Sequence, residues 1–285
     1  MKKYGTVAIM GRPNTGKSTL LNTLMNQKVA ITSPLPQTTR KNVSVRYEDE
    51  KGIIDFVDTP GIINKVEDLI GRRVNLEAPK ALGSVDVIIC LVDISREKTD
   101  EENKVIGIIR KSDAKKILVY NKIDKAIGSK DHLAEYNYLE DEFDKVISIS
   151  AIKNKNVKSL INLIMDFLKE GKPKYGKGEM KIPMTSKEFI AEIIREKAYL
   201  FLRKEIPYSV ATRVNDVEDK EDVIVIKAEI LTNNERYKKM IIGKQGKKIK
   251  EIGYNARKEL ELMSGRKIYL ELVVRVDKHW MESFS

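Results

Sequence analysis

Gly11-Arg12-Pro13-Asn14-Thr15-Gly16-Lys17-Ser18 is the stretch on which the fold of this 285-residue chain turns. It fits G-x-x-x-x-G-K-[ST], follows a strand-like run at 6–10 and opens a helix-like run at 17–25, the context that a phosphate-binding loop requires. Glycines let the backbone wrap phosphate oxygens, and the loop N–H groups and the helix N-terminus concentrate positive potential there. Lys17 adds a point charge for β- and γ-phosphates, and Ser18 offers a hydroxyl to Mg²⁺. Gly11, Arg12, Pro13, Asn14, Thr15, Gly16, Lys17, Ser18 and the adjoining Thr19 are therefore candidate nucleotide contacts.

Working outward, apolar strand-like runs at 6–10, 43–47, 53–57, 85–92, 116–120 and 146–149 alternate with helix-like stretches at 17–25, 66–82, 101–110, 133–142 and 157–168. This alternation predicts an α/β domain with a mostly parallel sheet and helices on both faces. Ligands of such sheets bind at the carboxyl ends of the strands, and three more motifs fall at strand ends. Asp58-Thr59-Pro60-Gly61 follows 53–57: Asp58 can hold Mg²⁺ through a water, and the Gly61 N–H can contact a γ-phosphate. Asn121-Lys122-Ile123-Asp124 follows 116–120. A carboxylate at Asp124 can accept both donors on the N1–H and N2–H₂ edge of guanine, a pair that adenine lacks, so the motif selects GTP over ATP. Ser150-Ala151 suits a backbone contact to guanine O6. The aperiodic Pro34-Leu35-Pro36-Gln37-Thr38-Thr39-Arg40 takes the place of a switch segment whose threonine hydroxyl closes on Mg²⁺ when γ-phosphate is present, Thr39 being favoured and Thr38 next.

Gly171-Lys172-Pro173-Lys174-Tyr175-Gly176-Lys177-Gly178 interrupts the pattern with little to bury. It reads as a linker, so the chain divides into 1–170, a linker at 171–184 and a second domain at 185–285. That domain is ordered α-β-β-α-α-β: a helix opened by a Thr185/Glu188 capping box and running to about 204, strands at 208–217 and 223–232 joined by the acidic turn 218–222, a short helix, a helix at 247–263, and a strand at 267–276. Between its two adjacent helices lies Gly243-Lys244-Gln245-Gly246, a Gly-x-x-Gly loop. Such a loop lets a single-stranded nucleic-acid backbone approach closely. Lys239, Lys244, Lys247 and Lys248, with Arg236, Lys238 and Lys250, surround it without an acidic residue from 236 to 250.

The formal charge of +11 points to polyanionic partners, nucleic acid or an anionic membrane. The excess is larger from Gly171 on, with 25 Lys/Arg against 18 Asp/Glu, than before it, with 28 against 24. One cysteine, Cys90, excludes an intramolecular disulfide, and its apolar surroundings predict an inert thiol. No apolar run is long enough to span a bilayer and no signal peptide is visible, so the expected location is cytoplasmic.

The motifs and the Asn-x-x-Gly-Lys-Ser form resemble the translation-factor-like GTPases. Ile62 stands where Ras-like enzymes carry the glutamine that orients the attacking water, which predicts slow intrinsic hydrolysis. Families that share this replacement and an asparagine at the Asn14 position resemble K⁺-assisted GTPases, so Asn14 joins Lys17, Thr39 and Gly61 as a candidate catalytic group, with K⁺ a possible ligand. A GTPase domain followed by a KH domain of this order, here of type II, resembles the Era family over essentially the whole chain. The matching segments are residues 11–18, Gln37-Thr38-Thr39-Arg40, 58–62, 121–124, Glu205-Ile206-Pro207-Tyr208-Ser209 and 243–246; Ile63-Asn64-Lys65 departs by lacking the His often found there. The resemblance implies a bacterial ribosome-assembly GTPase using GTP/GDP and Mg²⁺. Such a protein binds the 3′ end of 16S rRNA on the maturing 30S subunit, and is taken as a monomer with a peripheral membrane-associated fraction. The alternatives are a GTPase of another RNA process, a non-hydrolysing GTP-dependent RNA adaptor, and an anionic-membrane switch.

Overall fold

The computed structural model describes residues 2–26, 28, 43–58, 85–126, 132–171, 186–202 and 206–280. They fall into two compact units, the first holding the described residues up to 171 and the second those from 186. The expected helix at 66–82, the capping residue Thr185 and most of the linker lie outside the described residues.

In the first unit the strands are β1 (Lys3–Met10), β2 (Val43–Glu48), β3 (Gly52–Asp58), β4 (Val87–Asp93), β5 (Lys115–Asn121), β6 (Lys145–Ser148) and the short β7 (Lys169–Glu170). The helices are α1 (Lys17–Met25), α2 (Asp100–Ile109), α3 (Ile123–Ala126) and α4 (Val157–Phe167). The sheet order is β2-β3-β1-β4-β5-β6, with β7 on β1. β2 and β7 pair antiparallel and the other neighbours parallel, the mostly parallel sheet that the sequence predicts.

β4 is buried at every position, as a strand covered on both faces must be. Met10, Ile88, Cys90, Val92, Leu118 and Tyr120 turn to one face and meet Val105, Ile106 and Ile109 of α2. Ile89, Leu91, Ile117 and Val119 turn the other way and are as fully buried. α4 buries Val157, Leu160, Ile161, Ile164 and Met165, the i, i+3, i+4, i+7, i+8 stripe of an amphipathic helix. Burial pushes the Cys90 thiol up to about 12, with the Glu102 charge adding to the effect, so it is inert.

The parallel register aligns the carboxyl ends of the strands. Ile9 pairs with Asp58, Met10 with Cys90, Asp93 with Asn121 and Tyr120 with Ser148. This edge carries the polar residues from which the site is built.

One expected helix is not there. Residues 133–142 form two 3₁₀ segments, Leu133–Glu135 and Asn137–Glu142. Only Tyr136 and Leu139 are buried in this stretch, a single i, i+3 pair and not the repeating stripe that anchors an amphipathic α-helix.

The second unit comprises α5 (Ser186–Phe201), β8 (Val210–Asp219), β9 (Val223–Thr232), α6 (Glu235–Ile242), α7 (Lys247–Ser264) and β10 (Lys267–Val276). Its sheet is mixed: β9 lies in the middle, antiparallel to β8 and parallel to β10. The first strand starts two residues later than the sequence suggests. Ile206–Ser209 is a 3₁₀ turn around Pro207, which has no N–H to give to a ladder, and the Tyr208 ring instead meets Tyr199 edge-on at 6.1 Å. α5 is tied to α7 by Lys197, which pairs with Glu259 and, at 3.3 Å, with Glu196. Burial alone would lower the Lys197 pKa, but the two carboxylates outweigh it and hold it raised. No helix among the described residues is long and apolar enough to cross a membrane.

The start of α2 rests on a buried charge. Glu102 accepts the Thr99 N–H and hydroxyl, both at 2.9 Å, and pairs with Arg12, the two side chains being 2% and 5% exposed. Glu102→Gln leaves Arg12 buried without its counter-charge and is expected to cost about 3–5 kcal/mol. Glu142→Gln, which breaks the exposed pair with Arg110, should cost under about 1 kcal/mol. Urea unfolding of both variants checks the contrast.

Candidate functional site

The loop between β1 and α1 is set by its backbone. Asn14 adopts φ 64° and Gly16 φ 102°, and a Cβ on Gly16 would lie 2.4 Å from Asn121 Nδ2. Only glycine meets both the left-handed conformation and that approach. No side chain caps the first turn of α1, so its N-terminus offers main-chain N–H groups to an anion. Lys17 is 6% exposed and its Nζ lies over the loop, donating to Gly11 O at 3.0 Å and Arg12 O at 2.9 Å. Thr15 Oγ1 donates to Arg12 O at 3.1 Å. Pro13 is buried, and Asn14, Ser18 and Thr19 are half-buried at the rim.

The residues after β5 close the loop from the side. Asn121, 1% exposed, donates from Nδ2 to Thr15 O at 2.8 Å and accepts the Ala151 N–H on Oδ1 at 3.0 Å. One side-chain amide thus joins the phosphate loop to the loop after β6. Lys122, at φ 66°, donates to Asn14 O at 2.7 Å and to Asp93 Oδ2 at 2.6 Å. Burial lowers the Lys122 pKa against the pull of Asp93; Asp93, also penalised by burial, is nevertheless held below its usual value by Lys122 and Ser95. Ser150 Oγ donates to Asp124 Oδ1, which orients the carboxylate at the mouth of α3. Thr23 of α1 donates to Ala151 O at 2.9 Å.

The structure thus brings residues 11–19, Asn121, Lys122, Asp124, Ser150 and Ala151 together. Asp58 ends β3 beside Ile9, so its backbone stands at the same edge. Its side chain, Thr59, Pro60, Gly61 and Ile62, and Thr38 and Thr39 of the expected switch, lie outside the described residues. Arg12 does not use its guanidinium here: it turns away to Glu102, to Thr99 Oγ1 at 3.2 Å and to Glu97 O at 3.1 Å, leaving only its main chain in the loop. Asp93, Arg96 and Glu102, which hold the site from behind, are not singled out by sequence reasoning. The one available signal was an apolar run, 87–92, ending in an aspartate at the ligand edge.

In the second unit, Asn234 caps α6 by accepting the Tyr237 N–H at 2.8 Å. The helix ends at Gly243, whose φ of 72° and ψ of 172° suit glycine, and whose Cβ would sit 2.8 Å from Lys248 Cβ. Gln245 and Gly246 are also at positive φ, and Gly246 is the N-cap of α7. Lys239, Lys244, Gln245, Lys247 and Lys250 are exposed and Lys248 half-buried. From the first turn of α7 a cleft of about 300 Å³ runs between α7 and β10, lined by Ile249, Lys250, Gly253, Tyr254, Arg257, Leu270 and Leu272. Arg257 lies 5.8 Å from the Tyr254 ring. Its walls escaped sequence reasoning except Lys250, although 250, 253, 254 and 257 share one face of a helix.

A family profile described as "50S ribosome-binding GTPase" matches residues 6–122, and one described as "KH domain" matches 205–281. GTPase Era of Clostridioides difficile is 39% identical, covering 98% of this chain and 95% of its own length; GTPase Era of Aquifex aeolicus is 38% identical with the same coverage. Among solved structures, an alanine variant of Aquifex aeolicus Era bound to GDP and AlF₄⁻ superposes with a TM-score of 0.89 at 38% identity. Era in complex with MgGDPNP and nucleotides 1506–1542 of 16S ribosomal RNA superposes with a TM-score of 0.90 at 37% identity. Each of these two covers 98% of this chain and 95% of its own. With relatives of this identity matching across both units, its phosphate loop and its Gly-x-x-Gly unit in one polypeptide, this chain belongs to the Era family of GTPases.

Proposed function

We propose that this GTPase is a GTP-controlled RNA-binding switch of small-subunit assembly, taking the 3′ region of 16S rRNA in the cleft between α7 and β10. The observation that carries this reading is the full-length likeness to Era bound at once to a GTP analogue and to that RNA. The profile matched over 6–122 concerns the nucleotide-binding part alone, whereas the Era relatives match across both units.

The geometry supports a division of labour. Main-chain N–H groups of residues 11–18 and Lys17 hold the phosphates, and Asp124, oriented by Ser150, reads the guanine edge. Asn121 fixes the distance between the two. Ser18, Asp58 and Thr39 are oxygen donors of the kind that suits Mg²⁺, which when bound neutralises charge on the β- and γ-phosphates. Asn14, at the crown of the loop, is assigned K⁺ in support of hydrolysis, since Ile62 cannot orient water. Around residues 243–246 the positive φ angles open the backbone to a phosphodiester, and the exposed lysines neutralise it. Tyr254 and Arg257 offer flat surfaces on which bases stack.

Four results check this reading. Asp124→Asn should weaken GTP binding at least ~100-fold and favour xanthine nucleotides, and unchanged GTP affinity in a competition assay removes Asp124 from the base site. Gly243→Asp should abolish binding of the rRNA 3′ segment and spare GTP; Arg257→Ala should weaken RNA binding about tenfold with the fold intact by circular dichroism. GTP turnover in KCl should exceed that in NaCl, equal rates counting against K⁺ at Asn14.

A further inference from the structure

Asp93 is the last residue of β4 and 1% exposed. Its carboxylate is surrounded by donors. Oδ1 accepts the Ser95 N–H at 3.1 Å and hydroxyl at 2.6 Å; Oδ2 accepts from Lys122 Nζ at 2.6 Å and forms an ion pair with Arg96, whose Nε lies at 2.8 Å. Each of these cations has a second partner on the phosphate loop. Lys122 Nζ donates to Asn14 O at 2.7 Å and Arg96 NH2 to Pro13 O at 2.8 Å. One buried carboxylate therefore aims two cations at two consecutive carbonyls of the loop crown.

Peptide planarity converts that contact into an effect on the other side of the chain. In a trans peptide the C=O and the following N–H point in opposite directions, and no peptide bond among the described residues is cis. Holding the Pro13 and Asn14 carbonyls toward Arg96 and Lys122 turns the Asn14 and Thr15 N–H groups the opposite way. The crown also needs holding, because Asn14 and Lys122 both adopt left-handed backbone, a conformation unfavourable for residues with a Cβ.

We propose that Asp93 and Arg96 are positioning residues for nucleotide binding: through the Pro13 and Asn14 carbonyls they set the direction of the loop amides that receive the phosphates. This rests on the reading of residues 11–18 as the phosphate cradle. Neither residue belongs to the four motifs.

The test measures dissociation of a fluorescent GDP analogue, together with single-turnover hydrolysis at saturating GTP and the melting temperature, on the full chain. Arg96→Ala, at a 39% exposed side chain and so compatible with folding, should speed GDP release about tenfold, the effect of one charge-assisted hydrogen bond. Asp93→Asn frees both cations and should speed release about 10- to 100-fold. The double variant should be no worse than Asp93→Asn alone, because Asp93 acts on the Pro13 carbonyl through Arg96. The loss should fall on affinity more than on the saturating rate, and the 31P signal of the GDP β-phosphate should shift, which a merely structural weakening would not produce. GDP release within twofold of the parent for Arg96→Ala overturns the proposal, as does full additivity in the double variant. Lys17→Ala separates the two layers: if it binds GDP as tightly as the parent, the phosphate-cradle reading itself fails.

Discussion

The side-chain amide of Asn121 is buried with both of its ends committed, its N–H to the phosphate loop at Thr15 and its oxygen to the N–H of Ala151. A buried amide cannot leave either end unpaired without a cost of about 1–3 kcal/mol, so the two loops are held at a separation set by the length of one asparagine. The rest of the nucleotide site follows from that span. Gly16 must be a glycine because Asn121 Nδ2 occupies the space of its Cβ. Thr23, about two turns further along α1, reaches the same loop through Ala151 O. The strand register that brings Asn121 opposite Asp93 also places the hub that steadies the crown of the loop.

The motifs were legible because each depends on spacing within a few residues: a helix start after two glycines, a carboxylate three residues beyond an asparagine, a glycine pair between two helices. The strands were legible from their apolar runs. What stayed hidden is whatever depends on charge pairs across long sequence separations. Nothing near Arg12 indicates that its guanidinium meets Glu102, ninety residues on; the motif marks the residue only as a candidate nucleotide contact. The segment at 133–142 carried apolar residues enough for a helix, but what counts is which of them are buried, and only two are. Pro207 delayed β8 by a local rule that sequence reasoning could have applied.

The second unit solves a different problem, how to bring a polyanion close to main chain. Three left-handed residues in four, Gly243, Gln245 and Gly246, put a sharp corner between α6 and α7. The lysines around it are mostly solvent-exposed, so their contribution is screened by salt over about 10 Å. The cleft beyond the corner is built differently, with Leu270 and Leu272 on the strand and Tyr254 and Arg257 on the helix. Exposed charge and a partly apolar cleft thus occupy separate parts of one surface.

The Lys197–Glu259 pair gives this surface a mechanical reach. α5 is where the polypeptide enters the second unit, and α7 carries one wall of the cleft. A charge pair mostly withdrawn from water joins them, and separating it would leave Glu259 without its counter-charge and Lys197 with Glu196 alone. A load applied to α7 by a ligand in the cleft is consequently borne by α5 as well, so the first helix of the unit acts as a strut for the helix that walls the cleft.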